Sequence, residues 1–145
     1  MSFFPQPPAH LRQHRQSGLA GSADAWYLAE RAKAGPLLVV CAAALDAQRV
    51  TEEARWFDPA LRTALLPDWE TLPYDSFSPH PDLVSERMAT LYQLSRGELD
   101  LVAVPLSTAL CRLAPPAYLA AYTFFLKQGE KFEESAFRAQ MALGG

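Results

Sequence analysis

The chain has 145 residues, half of them hydrophobic and a fifth charged, with a net charge of -3. That is the size and composition of one globular domain with a real core, and the acidic balance excludes bulk attraction to nucleic acid, though not a local basic patch. The longest apolar run, over 34–45, is too short to span a bilayer and is interrupted by Gly and Pro. No positive start followed by an apolar stretch marks a secretory signal, and the reading is a soluble cytoplasmic protein. Cys41 and Cys111 each lie in or beside an apolar run. They read as buried free thiols, since neither has a second ligand at metal spacing.

Residues 1–17 read as a flexible basic arm. Pro5, Pro7 and Pro8 forbid a regular element, and His10, Arg12, His14 and Arg15 precede the first acidic residue, Asp24. A helix capped by Ser22 or Asp24 is expected to about Ala34, with Ala25, Leu28, Ala29 and Ala32 on one face. Gly35-Pro36 stops it. Leu37 to Cys41 is a continuous apolar run, as in a strand buried on both faces. Asp46 opens a second helix, with Val50, Ala54 and Phe57 on one face, and Asp58-Pro59 ends it.

Thr63 to Leu66 reads as a short strand. Residues 67–81 carry four prolines and no periodicity, which predicts a long loop. The aromatics Trp69, Tyr74 and Phe77 stand there among Asp68, Glu70, Asp75 and Asp82. These rings are expected to fold inward and pin the loop to the sheet edge. Pro81-Asp82 begins a helix closed near Gly97. Its Glu86 and Arg87 read as a solvated face with one ion pair. Leu99 to Val104 is a third buried strand, Ser107 to Leu113 a short helix, and Pro115-Pro116 opens another. Tyr122 to Leu126 is a fourth strand, Gly129 a turn, and Phe132 to Leu143 an amphipathic helix. Alternating strands and helices with unbroken apolar strands predict an α/β fold, a parallel sheet covered by helices. The chain stops after a helix at Gly144-Gly145, so it reads as a fragment cut within a second domain.

Catalytic chemistry is hard to find. A phosphate loop needs spaced glycines followed by a lysine. The stretch taken as its counterpart is Gly18, Gly21 and Ser22. It has no lysine and carries Asp24 where phosphate would lie. His10 and His14 lie in the arm. His80, between Pro79 and Pro81, could cap or bond the loop. No nucleophile–base spacing or metal-ligand set emerges, so catalytic, cofactor and metal residues are expected to be none. Two other readings stay open: a single-stranded DNA module using the arm with Trp69, Tyr74 and Phe77, and an active nucleotide-binding domain.

The run Leu66-Pro67-Asp68-Trp69-Glu70-Thr71-Leu72-Pro73-Tyr74-Asp75-Ser76-Phe77-Ser78-Pro79-His80 resembles the hallmark segment of the bacterial transcription-repair coupling factors. The resemblance continues through Asp82 and Ser85-Glu86-Arg87. It resumes in Val104 to Thr108, Pro115 to Leu119 and Leu126 to Glu130, and covers about residues 18–145. It makes Trp69, Glu70, Pro73, Tyr74, Asp75, Phe77, Pro79, His80, Glu86 and Arg87 a family signature.

What the resemblance implies is a RecA-like lobe over 18–121, similar to the first domain of the helicase UvrB. The first strand and helix of a small UvrA-binding-like α/β domain would follow over 122–145. The family's members are ATPases that displace RNA polymerase stalled on DNA and recruit nucleotide excision repair through UvrA. ATP and magnesium belong to a motor downstream of this region, so none is expected here. Implied partners are UvrA, other domains of the parent, RNA polymerase and double-stranded DNA. The loop over 67–81 is shorter and more acidic than the DNA-threading hairpin of UvrB. The arginines held responsible for UvrA contact would lie beyond Gly145. Apolar surface meant for absent domains predicts self-association.

Overall fold

The computed structural model describes residues 13–71, 76–117, 119, 134–135 and 137–138. The chain divides into two compact units, Met1–Cys111 and Arg112–Gly145. In the second unit, residues 116, 117, 119, 134, 135, 137 and 138 are helical, and Leu119 N donates to Pro115 O at 3.1 Å. The strand expected over 122–126 and the turn at Gly129 lie outside the described residues, as do Met1 to Arg12 of the arm.

The first unit is an α/β fold. Its elements run α1 (Ala23–Ala32), β1 (Leu37–Cys41), α2 (Ala44–Phe57), β2 (Thr63–Leu65), α3 (Pro81–Ser95), β3 (Leu101–Pro105) and α4 (Leu106–Ala109). The strands form a parallel sheet in the order β1-β3-β2. Leu37 pairs with Leu101 on one side of β3 and Thr63 with Leu101 on the other. The middle strand is buried along its whole length, as its uninterrupted apolar sequence requires.

Helices α1 and α2 cover one sheet face. Ala29, Ala32, Ala47, Val50 and Ala54 meet Cys41, Leu101 and Ala103 there, with Leu37, Val39 and Leu65 packed alongside. Small residues on both helices let them approach closely. Trp26 stacks on Phe57 at 6.3 Å between ring centroids. Arg49 of α2 binds both carboxylate oxygens of Asp24 on α1, at 3.1 and 2.7 Å.

Several expectations need correction. β1 is not buried on both faces: Leu38 is 65% and Val40 50% exposed, because β1 is an edge strand of the described sheet and no described helix covers that face beside it. Cys41 is buried but Cys111 is exposed, since α4 ends at Ala109 and the chain leaves the sheet before Cys111. The expected helix over Ser107 to Leu113 is thus one turn. Ser22 occupies the N-cap of α1 without a side-chain bond. Asp24 instead accepts from Ala25 N at 2.7 Å and from Arg49. α2 begins at Ala44, with Asp46 inside its first turn.

Candidate functional site

In open α/β sheets, ligands gather beyond the carboxyl ends of the strands. The turn that follows β1 there is residues 42 and 43, and the helix it enters starts Ala44-Leu45-Asp46. It has no glycine, no lysine and no side-chain cap. Gly18, Gly21 and Ser22 lie elsewhere. They lead into α1, which precedes β1, and among the described residues no strand comes before them. Gly18 and Gly21 take φ of 78° and 58°, the left-handed region that favours glycine, so their role there is to turn the chain into α1. The Asp24 carboxylate faces Arg49, and that guanidinium holds its pKa below the usual value despite partial burial.

Of the signature residues that the structure describes, Trp69 and Arg87 meet beyond the end of β2. His80 is the N-cap of α3, and its Nδ1 accepts from Asp82 N at 3.2 Å, with Pro81 at the first helical position. The capping role open to His80 is the one it fills. Along α3, Arg87, Thr90 and Leu91 share one buried face at the i, i+3, i+4 spacing. Thr90 Oγ1 donates to Leu65 O at 3.2 Å. Arg87 is only 2% exposed. Its Nη1 donates to Pro67 O, and its guanidinium carbon lies 4.1 Å from the Trp69 ring centroid.

Arg87 therefore does not stand on a solvated face with an ion pair, as helix periodicity and its neighbour Glu86 suggested. Glu86 is exposed, and Arg87, about 100° further round the helix, is buried. The proline-rich loop brings a carbonyl and an indole face over it, and these offset part of the cost of burying the cation. Burial lowers the Arg87 pKa, against the opposing pull of Cys111 and Asp68. Its Nε has no hydrogen-bond partner among the described residues.

Asp68 locks the loop from the other side. One oxygen accepts from Trp69 N at 2.8 Å and the other from the Ser107 hydroxyl at 2.7 Å. The Ser107 bond, chiefly, and the Trp69 N–H hold its carboxyl below the usual range, while burial opposes them. Glu70 follows with φ of 58°, an uncommon conformation for a residue with a side chain.

The inward-folding rule for the loop's rings holds for Trp69. Phe77 is 81% exposed and breaks it, because no described element reaches that part of the loop. Pro73, Tyr74 and Asp75 lie outside the described residues, Pro79 is half-buried, and the helix start beside it is fixed by His80. Reasoning from sequence missed Ser107, Thr90 and Arg49 as partners. Their bonds join residues 39, 25 and 25 positions apart, so no local spacing reports them. The cluster holds a fixed cation under an aromatic lid. It contains no nucleophile–base pair, and no group of three metal-ligating side chains occurs among the described residues. No described helix is long and apolar enough to cross a membrane.

No family model matches the chain. Among characterised proteins, it is 37% identical over 141 residues to the transcription-repair-coupling factor of Escherichia coli (strain K12), across 95% of the chain and 12% of that protein. It is 32% identical over 149 residues to the protein of the same name from Haemophilus influenzae, across 99% of the chain and 13% of that protein. The Mycobacterium tuberculosis protein of this name is 39% identical over 80 residues, 54% of the chain and 6% of its own length. The chain thus spans about an eighth of the length of the first two relatives.

Proposed function

The chain belongs, as a segment, to the family of transcription-repair coupling factors, and from that premise we propose that it is a non-catalytic module serving a motor encoded elsewhere in a longer protein. In that reading the parent works in the cytoplasm, uses ATP and magnesium to displace RNA polymerase stalled at DNA lesions, and recruits excision repair through UvrA. This module would supply a rigid α/β platform for other domains and for UvrA.

The observation that carries the proposal is the turn after β1. A phosphate loop there would need glycines to bring backbone N–H groups to phosphate and a lysine to neutralise it. The turn and helix start read Ala42-Ala43-Ala44-Leu45-Asp46. The buried cation on the same side of the sheet, Arg87, is closed off by Trp69 and Pro67. The signature run therefore serves architecture, holding α3 and α4 against the sheet through one loop.

Calorimetric titration of magnesium ATP into the folded chain tests this. No saturable heat is the expected result. Saturable binding at micromolar concentrations would overturn it and revive the nucleotide-binding reading. Salt-dependent binding of single-stranded DNA, lost on deletion of residues 1–17, would favour the DNA-binding reading instead.

A further inference from the structure

The outer edge of β2 faces a cleft whose chemistry has a direction. Arg62 O accepts from Asp100 N at 2.8 Å, and Leu66 N donates to Ala103 O at 2.9 Å. Those residues turn their amides towards β3, so the alternation of a strand turns the amides of Thr63 and Leu65 the other way. Their carbonyls are already met. Thr63 O accepts from Arg55 Nη2 at 3.1 Å, and Leu65 O from Thr90 Oγ1 at 3.2 Å. No described group accepts from their N–H groups. The edge therefore offers donors and has its acceptors engaged.

The cleft along this edge has a volume of about 540 Å³ and lies between α2 and α3. Carboxylates enter it from three separate elements: Glu52 on α2, Glu70 on the loop and Glu86 on α3. The one cation lining it among the described residues, Arg55, is held on the hydroxyl and carbonyl of Thr63. No described side chain forms an ion pair with Glu70 or Glu86. The left-handed backbone at Glu70 places that residue at the cleft at a conformational cost.

We propose that this cleft receives an extended, basic peptide segment of a partner protein, laid along the free edge of β2. The peptide's carbonyl oxygens take the outward N–H groups of Thr63 and Leu65, as in strand addition to a sheet edge. One of its arginine or lysine side chains sits among Glu52, Glu70 and Glu86, where charge complementarity fixes register. The same carboxylates repel a phosphate backbone. The engaged carbonyls limit pairing to a short segment, because an incoming strand cannot complete a full ladder.

The test uses the whole chain, labelled with nitrogen-15, and two probes: acetyl-(Thr-Arg)3-amide and its acidic counterpart acetyl-(Thr-Glu)3-amide. The expected result is saturable movement of the Thr63 and Leu65 amide resonances by the basic peptide alone. The combined variant E52Q/E70Q/E86Q should bind it at least about tenfold more weakly, the loss expected for a lost charge-assisted contact. These residues are at the surface, and an unchanged circular dichroism spectrum confirms the variant's fold. Acetyl-arginine-amide, which carries the charge without the strand, should also bind at least about tenfold more weakly. The proposal is overturned by no binding up to about 1 mM, the weak limit of useful peptide affinity, or by unmoved Thr63 and Leu65 amides. Equal binding by the triple variant, the acidic peptide or the single arginine also overturns it, as does an oligothymidine moving the same amides.

Discussion

Arg87 shows how much a single side chain can depend on its surroundings. It is buried with no ion-pair partner among the described residues, and one carbonyl and one indole face hold it. Truncation to alanine leaves a cavity, frees Pro67 O and uncovers Trp69. Arg87→Ala should cost about 3 kcal/mol. Arg87→Met keeps the volume and removes the cost of burying a charge, so it should cost clearly less. Urea unfolding of the two variants checks the order, and equal losses would mean that the charge itself is what holds the loop. The cysteines differ for a related reason. Burial raises the Cys41 thiol pKa, with Asp46 adding to the effect, while Cys111 is exposed. Thiolate is the reactive form. A thiol-exchange reagent at neutral pH should therefore label one cysteine per chain quickly, Cys111→Ser should abolish that phase, and Cys41 should react only on unfolding. Sequence told the two cysteines apart poorly because both sit in apolar runs. What separates them is where α4 ends.

Among the elements, the loop after β2 matters most, because it joins three others. Asp68 bonds α4 through Ser107, and Arg87 of α3 holds Pro67. The Asp68 carboxyl has a folded pKa below the ordinary carboxylate value. A depressed carboxyl contributes stability that is present above the unfolded pKa and lost as pH falls through the folded one. Stability should thus decline as pH drops below about 4. Asp24 and Asp100, lowered chiefly by hydrogen bonds from Arg49 and Arg62, act in the same window. Asp68→Asn should flatten part of this decline and leave the rest, which acid titration followed by tryptophan fluorescence measures. The regular elements were readable from apolar period and punctuation. Proline and glycine stopped α1, and Pro81 opened α3. The loop's bonds were not readable, since they depend on which elements the sheet order makes neighbours. The order β1-β3-β2 leaves no local trace in the chain.

At the scale of the whole molecule, the described residues leave several large apolar side chains exposed. On the sheet face away from α1 and α2, Leu38 and Val40 lie open, and Leu106 and Leu110 of the same unit are exposed beyond β3. The chain spans about an eighth of the length of its first two relatives. We expect the isolated segment to self-associate with rising concentration. Light scattering should show this, and Leu38→Glu with Val40→Lys should suppress it. Monomer at every concentration would show that this face is covered within the segment.

The strand order also dictates when this fold can come into being. β3 lies between β1 and β2 yet is made after both, so among the described strands neither has a neighbour until Leu101 to Pro105 exist. On a growing chain, the apolar run Leu37 to Cys41 must wait unpaired through the synthesis of two helices and a proline-rich loop. Such late closure of distant contacts slows folding and exposes strand edges to aggregation. A chain ended at residue 100 should show no cooperative unfolding transition by circular dichroism, however well its helices form, while one ended at residue 111 should show it. The last of the described strands to be synthesised is thus the trigger for the unit.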